Sequence, residues 1–225
     1  MNEIKSKEEI NMGLNSCAEN YKNLSASEYL YNLVLQKHKT KKLSDLLESD
    51  EFYKLLYATL DSWNMNSRGA KLKDFEEFVE NIKKQKTIFL ELEKYNLLKI
   101  TAEDLNQLID GKIMELYKKI SILKSRQTKC DVKDPLVVNS KLFHFILPKL
   151  CPPMDREYTM KFFYNNTDTN FKRYKEVFLK NKVFLDRFNL DGIPKEYENK
   201  FSYPLYSTKI LDNVIIGLRK LEEKN

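Results

Sequence analysis

Lys141 and Asp155 are the residues of this chain whose types and surroundings best suit covalent chemistry. The local sequence runs Val138-Asn139-Ser140-Lys141-Leu142-Phe143-His144-Phe145, then Pro148, then Pro152-Pro153-Met154-Asp155-Arg156. A lysine near the start of an apolar helix loses hydration, and the positive end of the helix acts in the same direction; both favour the neutral amine. A neutral amine can attack a sugar C1′ and leave a Schiff base. A neighbouring carboxylate can steady an oxocarbenium-like sugar or move a proton. In the plainer reading Lys141 is a surface residue at a helix start and Asp155 is only an N-cap, a position where Asp, Asn and Ser dominate. His144 lies on the same helix face as Lys141. It reads as a core histidine, or as a phosphate contact or an orienter of the Asp155 loop. His38 is its only companion in the chain, so a two-histidine zinc site is not expected.

A second feature is Asp61-Ser62-Trp63-Asn64-Met65-Asn66-Ser67-Arg68-Gly69, which holds the only tryptophan. Such a loop suits a flipped base, with Trp63 or Met65 stacking, Asn64 or Asn66 hydrogen-bonding and Arg68 toward the DNA. In the plainer reading it is a helix end with a core tryptophan. Arg156, at a helix N-terminus, is placed to grip a phosphate. Tyr158, Phe162 and Phe163 read as core. There is no GxGxxG, Walker A, HExxH or GxSxG pattern and no DxDxDG calcium loop. Cys17, Cys130 and Cys151 are odd in number and form no CxxC pair, so they read as reduced thiols. No metal and no cofactor are expected.

Helices must position these residues. The chain has 225 residues, 42% hydrophobic, with only 5 Gly and 6 Pro, too few for the many turns of an all-β fold. Apolar residues recur at three and four: Tyr29, Leu30, Leu33, Val34; then Leu46 to Trp63; then Phe75, Phe78, Val79, Ile82. Leu105 to Leu123 carries a further stripe, interrupted by Gly111 and opened by Thr101 as N-cap. Val138 to Leu147 is a short apolar helix, Asp155 opens the next, Phe171 to Phe188 is a long one, and Ser207 opens the last. The lone strand candidate is Leu97–Ile100. The expectation is an all-α fold of nine to ten helices. A polar N-terminal arm, 1–24, precedes one helical domain, 25–225, or two lobes with a cleft near 134–156.

Lys plus Arg number 39 against 33 Asp plus Glu, a net +6. The surplus fits duplex DNA and equally an ordinary lysine-rich surface. The most basic stretch is 112–133, with Lys112, Lys118, Lys119, Lys124, Arg126, Lys129 and Lys133; 172–182 is the next. A charged N-terminus without an apolar core region, and no run near ~20 apolar residues, point to a cytoplasmic protein with no membrane partner.

The segment around Lys141 and Asp155 resembles the helix-hairpin-helix DNA glycosylases, the superfamily of endonuclease III and the 8-oxoguanine glycosylases, and is similar to little-characterised bacterial and archaeal relatives. In that family a Gly-x-Gly-Thr-Lys turn opens the hairpin's second helix and supplies a nucleophilic lysine. A Val-Pro-Val-Asp segment then supplies a catalytic aspartate. The resemblance implies that Lys141 is the lysine, that Pro153-Met154-Asp155 is the Pro-x-Asp segment, and that Asn139 stands for the second hairpin glycine. Val137 replaces the first glycine. It implies a base-excision glycosylase and lyase acting on duplex DNA, with Asn139, Ser140, His144, Arg156 and Arg68 toward the DNA and Trp63, Asn64 and Asn66 in the base pocket. The rival expectation, from another class, is a non-catalytic helical interaction protein in which Lys141 and Asp155 are structural.

Overall fold

The computed structural model describes residues 3–20, 25–65, 70–132, 135–197, 199–201 and 203–223, with the backbone alone at 64 and 65. It is 68% helix and 3% strand, which makes the fold all-α. The first helices are α1 (Lys7–Asn20), α2 (Ala26–Thr40), α3 (Leu43–Leu46) and α4 (Asp50–Leu60), which runs on into a π-helical turn, Asp61–Met65. The strand β1 (Ala70–Leu72) precedes α5 (Phe75–Lys83), α6 (Lys86–Glu93) and α7 (Ala102–Leu108). A second π-helical turn, Ile109–Ile113, joins α7 to α8 (Met114–Lys119), and β2 (Leu123–Ser125) follows. Then come α9 (Leu136–Ile146), a third π-helical turn, Arg156–Met160, running into α10 (Lys161–Tyr164), and α11 (Phe171–Phe188), α12 (Ile193–Glu196) and α13 (Ser207–Glu222). The number exceeds the nine to ten expected because four-residue helices and π turns subdivide the apolar stripes.

Local chemistry explains the ends. Ser25 and Glu28 form a capping box at α2: the Ser25 side chain accepts from Glu28 N, and Glu28 accepts from Ser25 N. Thr101 caps α7 as expected, its Oγ1 accepting from Asp104 N. Ser207 is the first residue of α13, with Tyr206 at the cap. Gly111, the weak point of its stripe, falls in the second π turn. The strand expectation is corrected. Leu97–Ile100 is a turn, with Leu98 N donating to Asn96 Oδ1 at 2.9 Å. Pairing occurs instead between β1 and β2, antiparallel, with Leu72 opposite Leu123 and both buried.

The core forms around α9. Among its eleven residues only Val137 is not buried. A helix that is apolar nearly all round must be enclosed, and α2, α4 and α11 pack against it. Phe143 meets Phe89 and Tyr174, and Phe145 meets Tyr31 and Trp63. Each such side chain contributes about 1.5–3 kcal/mol by leaving water.

The N-terminal segment is not an arm apart from the domain. Lys7–Asn20 buries Ile10, Leu14 and Cys17 against α13. The two helices approach closely because Gly13 and Gly217 face one another: a Cβ on Gly217 would stand 2.7 Å from the Gly13 carbonyl carbon. Ser16 Oγ donates to Gly217 O across the same crossing. A Gly217→Ala chain should therefore lose about 1–3 kcal/mol or more through overpacking, at about 2–4 °C of melting temperature per kcal/mol. Gly111→Ala, whose Cβ meets nothing within 4 Å, should gain up to about 1 kcal/mol from helix propensity. Thermal melts followed by circular dichroism check both, and equal effects would contradict the packing argument.

Candidate active site

Several segments converge on one cavity of about 240 Å³. Helix α9 brings Lys141, the extended chain before the third π turn brings Asp155, and the first π turn brings Trp63. Helix α2 adds Ser27, Glu28 and Tyr31, and α13 adds Lys209 and Asp212.

The framework that holds Lys141 beside Asp155 is a set of buried hydrogen bonds. His144 is fully buried. Its Nδ1 lies 2.9 Å from the Cys151 carbonyl, which can only accept, so Nδ1 carries the proton. Nε2 then accepts from the Tyr31 hydroxyl at 2.6 Å. Thr208 Oγ1, which donates to Pro148 O, completes the surroundings of the ring. One turn earlier, Ser140 Oγ accepts from Met154 N at 3.1 Å and donates to Val137 O. Ser140 and His144 thus fasten residues 151–154 along α9, and Asp155 arrives opposite Lys141. Burial, helped by the Lys209 charge, lowers the His144 pKa to about 3, so the ring is neutral.

Lys141 Nζ lies 3.6 Å from Asp155 Oδ2, with the two side chains 9% and 31% exposed. That is an ion-pair distance but too long for a well-formed hydrogen bond. Asp155 Oδ1 is occupied elsewhere, accepting from Glu157 N at 2.7 Å and Tyr158 N at 3.3 Å as the N-cap. Nζ also stands 5.0 Å from the centre of the Trp63 ring, within cation–π range. Burial pulls the Lys141 pKa below the ordinary lysine value; Asp155 opposes this and Lys209 adds to it. Desolvation outweighs the carboxylates because Asp155 is partly hydrated and shared with two backbone amides, while Asp212 is paired with Lys209.

A second lysine–aspartate pair was not among the residues singled out in the sequence. Lys209 and Asp212 are ion-paired with both side chains 8% exposed. Lys209 Nζ lies 5.5 Å from the Trp63 ring. Thr159 joins the pairs: its Oγ1 accepts from Asp155 N and donates to Asp212 Oδ1 at 3.2 Å. Trp63 is fixed by donation from Nε1 to Ser27 O at 3.3 Å and by ring contacts with Tyr31 and Phe145. Its face is left for the two ammonium groups. The available signal was Lys209 and Asp212 at i and i+3 within an otherwise apolar face of α13, a pattern that buries two charges together.

Several expectations change. Lys141 does not begin its helix. The apolar run Leu136-Val137-Val138 extends α9 back to Pro135, and Lys141 lies in mid-helix, so burial rather than a helix end governs its pKa. Asn139 is helical, not in a left-handed turn, and its Nδ2 donates to Ile120 O. Asn139, Ser140 and His144 are fully buried with internal partners, so they frame the site and present nothing to DNA. Arg156 is exposed in the first turn after Asp155, with Nη2 3.4 Å from Thr169 Oγ1. Asn66 and Arg68 lie outside the described residues; Asn64 lies in the first π turn. The basic stretches carry their own carboxylates: Lys112 pairs with Glu91, Lys119 with Glu115, Lys124 with Asp74, Lys175 with Asp110, Arg173 with Glu176 and Lys182 with Asp186. Among the described residues no three His, Cys, Asp or Glu side chains assemble as a metal site, and no helix is long and apolar enough to cross a membrane.

No protein-family model, curated protein or solved structure matches the chain.

Burial keeps His144 neutral when folded, while the unfolded residue titrates near ~6.5. Between those pKa values the unfolded chain binds the extra proton, so stability falls as pH drops below about 6.5. The His38 pKa is lowered too, chiefly by burial, and acts with the same sign. His144→Gln should melt lower at pH 7, having lost the tie between Tyr31 and Cys151, but lose less on acidification. Melting temperatures from pH 7 to 4 test this; an unchanged slope would remove His144 as the cause.

Proposed function

We propose that this cavity is the active site of a lysine-dependent DNA base-excision enzyme, with Lys141 as nucleophile and Asp155 as its electrostatic partner. The observation that carries the reading is the enclosed Lys141 amine, 3.6 Å from Asp155 and set against the Trp63 ring in an open cavity. A lysine that served only as a structural cation would be expected to close a short hydrogen bond to its carboxylate. Here the amine is desolvated, its pKa is lowered, and the carboxylate is slack on that side. This is the balance a nucleophilic amine needs.

In this reading neutral Nζ attacks C1′ of the extruded nucleotide. The Nζ–C1′ bond forms as the glycosidic bond breaks, and the base leaves with the bonding electrons and takes up a proton. Loss of a proton from Nζ and opening of the sugar ring, with O4′ protonated, give the imine. Asp155 stabilises the positive charge that develops at the sugar. Trp63 borders the space that the base would enter. Arg156, exposed beside the N-terminal turn that follows Asp155, is placed for a phosphate.

The non-catalytic alternative keeps one observation in its favour: carboxylates pair the basic stretches that would otherwise hold DNA. Borohydride trapping on a panel of lesion-containing duplexes decides between them. The wild-type chain should form a covalent adduct, at a lower pH than an exposed lysine would need, and Lys141→Gln should form none while staying helical. Asp155→Asn should slow trapping by about tenfold or more and keep its helix, since Asn also caps well. No adduct with any lesion, together with a less stable Lys141→Gln chain, would return Lys141 to a structural role.

Duplex binding should arise near the cavity mouth and not along 112–133. Charge reversal of Arg156 should lower duplex affinity and flatten its salt dependence by about one phosphate contact. Charge reversal of Lys119, already paired with Glu115, should change it little. Equal effects from the two would place the DNA surface elsewhere.

A further inference from the structure

A second cavity, of about 470 Å³, shares no lining residue with the Lys141 cavity. Its walls are apolar. Ile4, Phe163, Phe184, Phe188 and Leu211 are buried, and Leu179 is half-buried. A concave, mostly apolar space of this size with a few charged groups has the character of a small-molecule site. Helix α11 lines it from Leu179 to Phe188, a run of about 14 Å at ~1.5 Å per residue. A groove drawn out along one helix favours an extended chain over a compact ring.

The charged lining residues are Lys180, Arg187 and Glu3, which leave the groove with one net positive charge. Arg187 Nη1 donates to Glu3 Oε1 at 2.5 Å, with the two side chains 47% and 70% exposed. An ion pair so open to water holds weakly and exchanges its carboxylate at little cost. Among the described residues no other Arg187 donor is hydrogen-bonded, and a guanidinium carries five N–H donors in a fork that fits a carboxylate. Lys180 Nζ stands 5.0 Å from the centre of the Phe163 ring, a contact that leaves its positive charge in place. An ammonium head group would meet two cations here, and an uncharged one would gain nothing from them. Of the apolar lining only Val183 is exposed, at 61%. A membrane surface needs apolar side chains that project, whereas a recessed groove takes one free chain.

We infer that this groove is a binding site for a free single-chain alkyl carboxylate, its chain laid along α11 against Phe184, Phe188 and Leu211 and its head group on Arg187. The site goes beyond the base-excision reading and does not depend on it.

Titration calorimetry of the full chain with hexanoate, octanoate, 1-octanol and octylammonium tests the assignment. Octanoate should bind about tenfold or more tighter than hexanoate, because two further CH₂ groups leave water. It should bind about threefold or more tighter than 1-octanol, the ratio expected for a half-exposed charge pair, and octylammonium should bind most weakly. Glu3→Gln removes the competing carboxylate and should tighten octanoate by about threefold while leaving 1-octanol unchanged. Val183→Glu, a change at an exposed helical position, sets a carboxylate in the groove. It should weaken octanoate by about threefold or more and favour octylammonium. No binding of octanoate, equal affinity for octanoate and 1-octanol, no gain from hexanoate to octanoate, or unaltered octanoate binding in Val183→Glu would overturn the inference. Binding to phosphatidylglycerol vesicles without binding of free octanoate would overturn it too. The comparison of the four amphiphiles on the unmutated chain stands whether or not the variants fold.

Discussion

The enclosure of α9 is the constraint on which the rest of the structure depends. A helix with almost no solvent face forces every polar group it carries to find an internal partner or to open onto a cavity. Ser140, His144 and the amide nitrogen of Asn139 take the first course and Lys141 takes the second. The partners they find are backbone groups of residues 120, 151 and 154 and the hydroxyl of Tyr31. These bonds do more than satisfy α9. They define where the following extended chain runs, and so where Asp155 stands.

The same enclosure sets the electrostatics. In water the Lys141–Asp155 attraction would be worth about 1 kcal/mol and would leave the lysine fully charged. Inside, the cost of removing the ammonium from water exceeds what one half-hydrated carboxylate returns. Lys209 deepens the effect by adding a second positive charge nearby, and Asp212 keeps that charge from being prohibitive. Two lysine–aspartate pairs, bridged by Thr159 and sharing the Trp63 ring, form one electrostatic unit rather than two separate salt bridges.

That unit requires α13 to sit deep in the molecule, which links the ends of the chain to the site. Eleven consecutive residues of α13, Ser207 to Gly217, are buried. The glycine contact with α1 allows this depth on one side, and the third π turn packs on another. Lys209 and Asp212 therefore owe their burial to α1 as much as to their own helix. A stretch that reads as a polar extension in isolation is part of the support for the site.

The fold class was legible in the residues alone, because apolar spacing at three and four and a scarcity of Gly and Pro leave helices as the consistent solution. Asp155 as N-cap, Thr101 as N-cap and the buried, apolar α9 were legible for the same reason: each is a local rule acting over a few residues. The pairing of Lys141 with Asp155 was also in view, since both flank one short apolar segment. What the residues did not disclose is everything that joins distant segments. Whether His144 faces a phosphate or Tyr31 is decided by the packing of α2 on α9. Lys209 and Asp212 look like ordinary helix charges until tertiary contacts remove their water and stand Lys209 over Trp63. The basic stretches look like a DNA surface until Glu91, Asp74 and Asp110 are brought beside them. Local sequence governs backbone periodicity and caps, whose energies arise within one or two turns. Burial, charge pairing and pKa depend on which segments meet, and only the tertiary structure decides that.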